Sequence, residues 1–258
     1  MDYISGALVE NLKIAVAQIS SLKGDVESNI KTHLLAINKA CELNVAYIVF
    51  PELSLIGYEP EIAKDLAFTY DDKRLTPLID AAIQNNIQIG VGAPIETSGL
   101  PKIGLFVISP SGSVEIYEKI HLHAGEEKYF DRGSQHHFVN INDQKIANAI
   151  CADTNNPQHA NTCSELGSSI YIAGVFITEG GYLSDTAVMA DYAKKYNILV
   201  AMANYHSHLS QTSTGMIPIG KSAIWSQDGL LASAPETQSA IVVAERLNEQ
   251  WHAQVFKI

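Results

Sequence analysis

The stretch AYIVFPELSLIGYEP, Ala46 to Pro60, decides the fold and raises the functional question. Ala46 to Phe50 is a short apolar run of the kind that forms a buried strand. It leads straight into Pro51 and then into a carboxylate, Glu52, set among Leu53, Leu55 and Ile56. An acid at the mouth of an apolar strand acquires a raised pKa, because burial disfavours its charged form. A proton acceptor for a weak acid needs that property.

Working outward, β-branched runs alternate with helical patterns almost to the end of the chain. Leu12 to Gln18 reads as a strand. Asp25 caps a helix whose apolar positions Val26, Ile30, Leu34, Ile37 and Cys41 step by three or four. Asn44 is a left-handed stop for it. Leu75 to Asn86 reads as a helix and Ile87 to Ile95 as a strand. Ile103 to Ser109 and Val114 to Lys119, joined through Pro110-Ser111-Gly112, give a hairpin. Lys145 to Ile150 is a strand ending at Cys151. Further strands are expected at 170–173, 198–203, 222–225, 230–234 and 239–244, with helices at 158–166 and 184–196. No repeat, low-complexity tract or linker interrupts the 258 residues, so one domain, 1–258, is expected, with layered α/β architecture.

The totals exclude several classes. Hydrophobic residues are 47% and charged residues 17%, which supports a large core. A net charge of −11 argues against nucleic-acid or anionic-membrane partners. No run approaches the ~18 apolar residues of a membrane span. The first residues, MDYISGALVENLK, have no basic-then-apolar leader pattern. The three cysteines, Cys41, Cys151 and Cys163, form no CxxC or CxxH framework, which fits a reducing cytoplasm.

Three apolar strands end near Glu52, Lys119 and Cys151, and strand ends are where α/β sheets present ligand groups. Each residue alone has an ordinary reading as turn, solvated end or small core residue. Together they have chemical logic. A thiol with a pKa near ~8.5 needs a base, and Glu52 can serve. Lys119, kept cationic by carboxylates, can stabilise an oxyanion, which makes the set an acyl-transfer site.

Around these residues the chain resembles the nitrilase (carbon–nitrogen hydrolase) superfamily, from about Leu12 to about Ala244. The resemblance rests on Pro51-Glu52-Leu53-Ser54-Leu55-Ile56-Gly57-Tyr58, on Tyr117-Glu118-Lys119-Ile120-His121-Leu122 and on Cys151-Ala152-Asp153. Ala203-Asn204 and Gly220-Lys221-Ser222 match lesser motifs. It implies a four-layer α-β-β-α sandwich, a Glu–Lys–Cys triad, no metal or organic cofactor, and a homodimer packed through helices. It also implies a second glutamate after the lysine. Counting back from Arg132-Gly133 favours Glu126, with Glu127 as runner-up. The Ala152 N–H is expected as an oxyanion donor.

Position beside the motifs makes Tyr58, Tyr129, Phe176 and His206 expected pocket lining. Asn155, with Asn156, Gln158 and His159, is expected to form a polar, neutral wall. Relatives often carry an Arg there, and its absence points to a small neutral or cationic amide rather than a dicarboxylic mono-amide. A nitrile or a carbamoyl amine is the alternative substrate, and a catalytically silent binding protein the alternative of another class. Nine histidines, with His121, His123, His136 and His137 in one group and His206 and His208 in another, lack zinc-finger or HExxH context. They read as surface or pocket-wall residues, His121 as structural. Cys41 and Cys163 read as packing residues.

Overall fold

The computed structural model describes residues 11–206, 212–213 and 215–258. The opening segment 1–10 and His208 lie outside the described residues. The chain begins β1 (Lys13–Gln18), α1 (Val26–Glu42), β2 (Tyr47–Val49), α2 (Thr76–Asn85) and β3 (Gln88–Ile95). The hairpin β4 (Lys102–Ile108) and β5 (Val114–Glu118) follows. Next come β6 (Phe138–Ile141), β7 (Gln144–Ile150), α3 (Pro157–Glu165), β8 (Ile170–Gly174), α4 (Glu179–Tyr196) and β9 (Leu199–Ala203). The last strands are β10 (Ala223–Ser226), β11 (Gly229–Ser233), β12 (Ala240–Leu247) and β13 (Gln250–Lys257).

These strands make two mixed sheets. One runs β13-β12-β1-β2-β3-β4-β5, the other β11-β10-β9-β8-β7-β6. The centre of each is parallel, β1-β2-β3 and β7-β8-β9. The flanks are antiparallel, where hairpins allow short connections. The sheets face each other, β1 to β9, β2 to β8 and β10 to β12. Helices α1 and α2 cover the first sheet, and α4 the second with α3 beside it. The expected α-β-β-α sandwich is therefore the fold. Strand β2 is covered on both faces, which is why Tyr47, Ile48 and Val49 are all buried despite their alternating directions. One buried hydrogen bond joins the two inner faces, from Tyr47 Oη to Asn148 Oδ1 at 2.7 Å.

The local signals behave as physics requires. Asp25 accepts from the Ser28 N–H and starts α1. Asn44 and Asn86 adopt φ of 58° and 51°, closing α1 and α2 in the left-handed region that asparagine tolerates. Strands β6 and β13 were not expected. The β12–β13 turn places Asn248 and Glu249 at φ of 49° and 65°, the two positive angles of a tight hairpin. Glycine normally marks its second position, and Glu249 hides it. The helix expected at 184–196 begins at Glu179; Gly180 and Gly181, poor helix formers, hid its first turn from the sequence pattern.

One core histidine locks the segment that carries Glu52. His33 on α1 is fully buried, its Nδ1 2.7 Å from Asn29 O and its Nε2 2.8 Å from Ser54 Oγ. Burial lowers its pKa from 6.5 to about 4. His159 is held down to about 4 by the same cause. Both are neutral in the fold but take protons when unfolded below about 6.5. The unfolded state then binds more protons, so stability is present above pH 6.5 and lost as pH falls toward 4. Chemical unfolding across that window should lose ~3 kcal/mol for each histidine. His33→Gln should flatten the slope.

Candidate active site

Four strand ends meet at one point. Strand β5 runs parallel to β3, because two antiparallel steps separate them. The C-terminal ends of β2 and β5 thus lie on one edge of the first sheet. They deliver Glu52 and Lys119. The second sheet delivers Cys151 from the end of β7. Gly174, ending β8, closes the assembly: a Cβ there would stand 2.3 Å from Phe50 O and 3.2 Å from the Glu52 nitrogen. Gly92 on β3 approaches the same loop, where a Cβ would stand 2.4 Å from the Leu53 nitrogen. Only glycine permits backbone this close. Tyr205 also holds the loop, donating to Glu52 O at 2.6 Å.

The Lys119 ammonium is fully buried and donates to Glu52 Oε1 at 2.6 Å and to both Glu126 oxygens at 2.9 and 2.7 Å. Burial by itself would lower its pKa, but Glu52, Cys151 and Glu126 outweigh that and hold it above the usual lysine value. Glu126 is fixed by Tyr58 Oη at 2.8 Å and by the His123 N–H at 2.7 Å. Glu127 is exposed and bonds only the Gly125 N–H among the described residues. Of the two, Glu126 is the one buried against Lys119.

Glu52 is shifted the other way. Its carboxyl is raised well above the ordinary range, chiefly by burial and with help from the Glu126 charge, against the pull of Lys119. Its Oε2 is buried and has no hydrogen-bond partner among the described residues, so it is free to take a proton. The neighbouring Cys151 thiol is near enough to act on the protonation of this carboxylate. Burial and the Glu52 charge push the Cys151 thiol well above its usual value, while Lys119 opposes them. The resting thiol is protonated and a base stands beside it.

Cys151 has φ of +42°, a strained angle for a side chain with a β-carbon. It opens the 3-10 turn Cys151–Asp153 and projects its sulfur from a sharp strand-to-turn elbow. Its Sγ lies 3.8 Å from Phe176 O. The Ala152 N–H follows in the same turn, where the first N–H groups have no carbonyl partner of their own. Asp153 anchors the elbow. It accepts from Tyr117 Oη at 2.6 Å, the Ile150 N–H at 3.0 Å and the His121 N–H at 2.8 Å. His121 is thus structural, as its motif implied.

Two of the residues expected to line a pocket lie against each other. Tyr58 and Phe176 stack with ring centroids 4.7 Å apart at 16°. The rest are placed differently. Tyr129 meets the site through its backbone N–H, which donates to Glu126 O, while its ring packs against the core. Asn155 is exposed, and no hydrogen bond among the described residues ties its side chain to the triad. Asn156 caps α3 by accepting from the Gln158 N–H. His159 is buried against Tyr117 and Tyr171, so it is core rather than pocket wall. His206 is buried with Nε2 3.2 Å from Ser239 Oγ. The lesser motifs do meet: the Asn204 N–H donates to Ser222 Oγ at 2.8 Å, and the Asn204 side chain clamps Ile177 and Gly220. The Phe176 carbonyl, Tyr205, Gly92 and Gly174 were not foreseen. A glycine inside one apolar strand and another at the end of a second was the signal available.

The carbon-nitrogen hydrolase family model matches residues 13–253. This chain belongs to the carbon-nitrogen hydrolase family. Among curated proteins, it is 26% identical over 205 residues to the glutamine-dependent NAD(+) synthetase of Thermotoga maritima, covering 76% of this chain and 35% of that protein. The chain thus spans about a third of the length of that relative. It is 24% identical over 241 residues to a nitrilase of Pyrococcus abyssi, covering 91% and 89% of the two chains. Among solved structures, the NitN amidase of Nesterenkonia sp. AN1 superposes with a TM-score of 0.80 at 19% identity, covering 90% of this chain and 91% of that one. A cysteine-to-alanine mutant of that amidase in complex with butyramide gives 0.81 at 18%, covering 92% of each. At these identities the structures establish the shared fold.

For this family member the glycine contact is directly testable. Gly174→Ala should push on Phe50 O and displace Glu52 by a fraction of an ångström. The expected result is a kcat loss of ~10²-fold, with a lowered melting midpoint and an unchanged far-ultraviolet spectrum.

Proposed function

We propose that the chain hydrolyses a small carboxamide through a Cys151 thioester. The observation that carries this reading is the buried arrangement of Lys119 between Glu52 and Glu126, with Glu52 and the Cys151 thiol near enough to shift each other's protonation. Glu52 accepts the thiol proton and Cys151 Sγ attacks the amide carbon. Lys119 and the Ala152 N–H stabilise the negative charge that develops on oxygen. Glu52 then passes the proton to the departing nitrogen, and ammonia or an amine leaves. Water, deprotonated by the same Glu52, attacks the thioester; the acid departs and Cys151 recovers its proton. Glu126 holds Lys119 in place.

The relatives' names lend weight to an amide. One synthetase is named for its dependence on glutamine, and the Nesterenkonia amidase was captured with butyramide. The nitrilase of Pyrococcus abyssi, matched along most of its length, keeps a nitrile as the second reading. The stacked rings of Tyr58 and Phe176 favour a short, uncharged acyl group over a carboxylate-bearing one. A panel of linear amides, carbamoyl amines and nitriles assayed for released ammonia decides among these. Preference for dicarboxylic mono-amides overturns the neutral-substrate reading.

Cys151→Ala should lower turnover by ~10⁴-fold or more with the fold intact. Mass spectrometry of enzyme quenched during turnover should find the acyl group on Cys151, with Cys41 and Cys163 unmodified. Activity requires ionised Glu52, so kcat/KM should rise with pH through an acid limb above the ordinary carboxylate range. Glu126→Gln removes a negative neighbour that raises Glu52, so its residual activity should show that limb at lower pH.

A further inference from the structure

Behind the nucleophile elbow lies a second cluster that the hydrolytic reading does not use. His159 and Cys163 stand one turn apart on α3, both buried. His136 reaches them from the segment before β6 and is half-buried. Cys163 Sγ lies 3.6 Å from His136 Nδ1 and 3.9 Å from His159 Nδ1. The three donor atoms all lie within 4.8 Å of one another.

Hydrogen bonding sets the His159 tautomer. Asp153 accepts, so the Tyr117 hydroxyl must donate its proton to Oδ2 at 2.6 Å. The Tyr117 oxygen is then left to accept from His159 Nε2–H at 2.9 Å. The lone pair therefore sits on Nδ1, facing Cys163 and the Tyr171 hydroxyl at 2.9 Å. A metal-ligating histidine has this arrangement: one nitrogen turned to the ion, the other N–H held by a partner that leads to a carboxylate.

We propose that His136, His159 and Cys163 form a binding site for a borderline-soft divalent cation of the zinc type. Zn–N of about 2.0 Å and Zn–S of about 2.3 Å in tetrahedral geometry put nitrogen and sulfur about 3.5 Å apart. The observed 3.6 and 3.9 Å are close to that spacing without an ion. Two imidazoles and a thiolate exclude magnesium and calcium, which take oxygen ligands. On binding, Cys163 gives its proton to solvent, Sγ and both Nδ1 atoms donate to the ion, and Tyr171 releases its bond to His159. The Tyr171 oxygen or a water takes the fourth position. Half-buried His136 provides the route in from solvent. The bound ion ties the β6 approach to α3 and fixes His159, hence Tyr117 and Asp153, behind Cys151.

The site is tested without reference to turnover. Apo protein is dialysed against zinc and, separately, titrated with cobalt(II). The expected result is one ion per chain, with a thiolate-to-cobalt charge-transfer band and an upward shift of the melting midpoint. That band should persist in Cys151→Ala and vanish in Cys163→Ser. His136→Asn, at a half-exposed position that should not disturb folding, should weaken zinc binding at least tenfold. Absence of stoichiometric binding overturns the proposal. So does a band that survives in Cys163→Ser or disappears in Cys151→Ala, since the ligand is then the nucleophile.

Discussion

An ammonium group with no exposed surface sets the terms for everything near it. Removing Lys119 from water costs several kcal/mol, and only close, well-formed partners offset that cost. Glu52 and Glu126 supply them from opposite sides. Two acids around one base leave a surplus of negative charge, and that surplus falls on Glu52, the carboxylate whose Oε2 has no partner among the described residues. The raised proton affinity of Glu52 and the stable charge of Lys119 thus come from one interaction. Tyr58 and the His123 N–H complete the hold on Glu126, which leaves Glu52 the more available of the pair.

The surrounding scaffold serves this pair through close backbone approach and buried side-chain hydrogen bonds. Glycines at positions 92 and 174 let two strands press against the loop that carries Glu52. The Tyr205 hydroxyl grips the Glu52 carbonyl, and His33 reaches Ser54 two residues further on. Cys151 is treated likewise. Its unfavourable φ is maintained because Asp153 collects donors from Tyr117, Ile150 and His121 around the elbow. Strain at Cys151 is held by a buried carboxylate that does no chemistry itself.

How much of this could be read in the chain beforehand depended on whether the information was local. Glu52, Lys119 and Cys151 were legible because each follows a recognisable strand and sits in a contiguous motif. The choice between Glu126 and Glu127 was not, since counting could not tell which of them is buried against Lys119. Asn155 and His159 are parted for a related reason. Both adjoin the nucleophile in sequence, but the 3-10 turn and α3 carry one to the surface and the other into the core. Strand β13 escaped notice because its alternating, largely exposed residues resemble a loop and its turn lacks glycine. The meeting of His136 with Cys163 joins residues 27 positions apart, and no spacing rule covers it.

The acid and the ammonium belong to one sheet and the sulfur to the other. A half-assembled chain therefore owns either a poised proton acceptor or a thiol, never both. Such a chain is chemically mute until the two sheets have docked. Regained turnover would then serve as a clock for the last docking event in folding, while spectroscopic helix signals time the earlier ones.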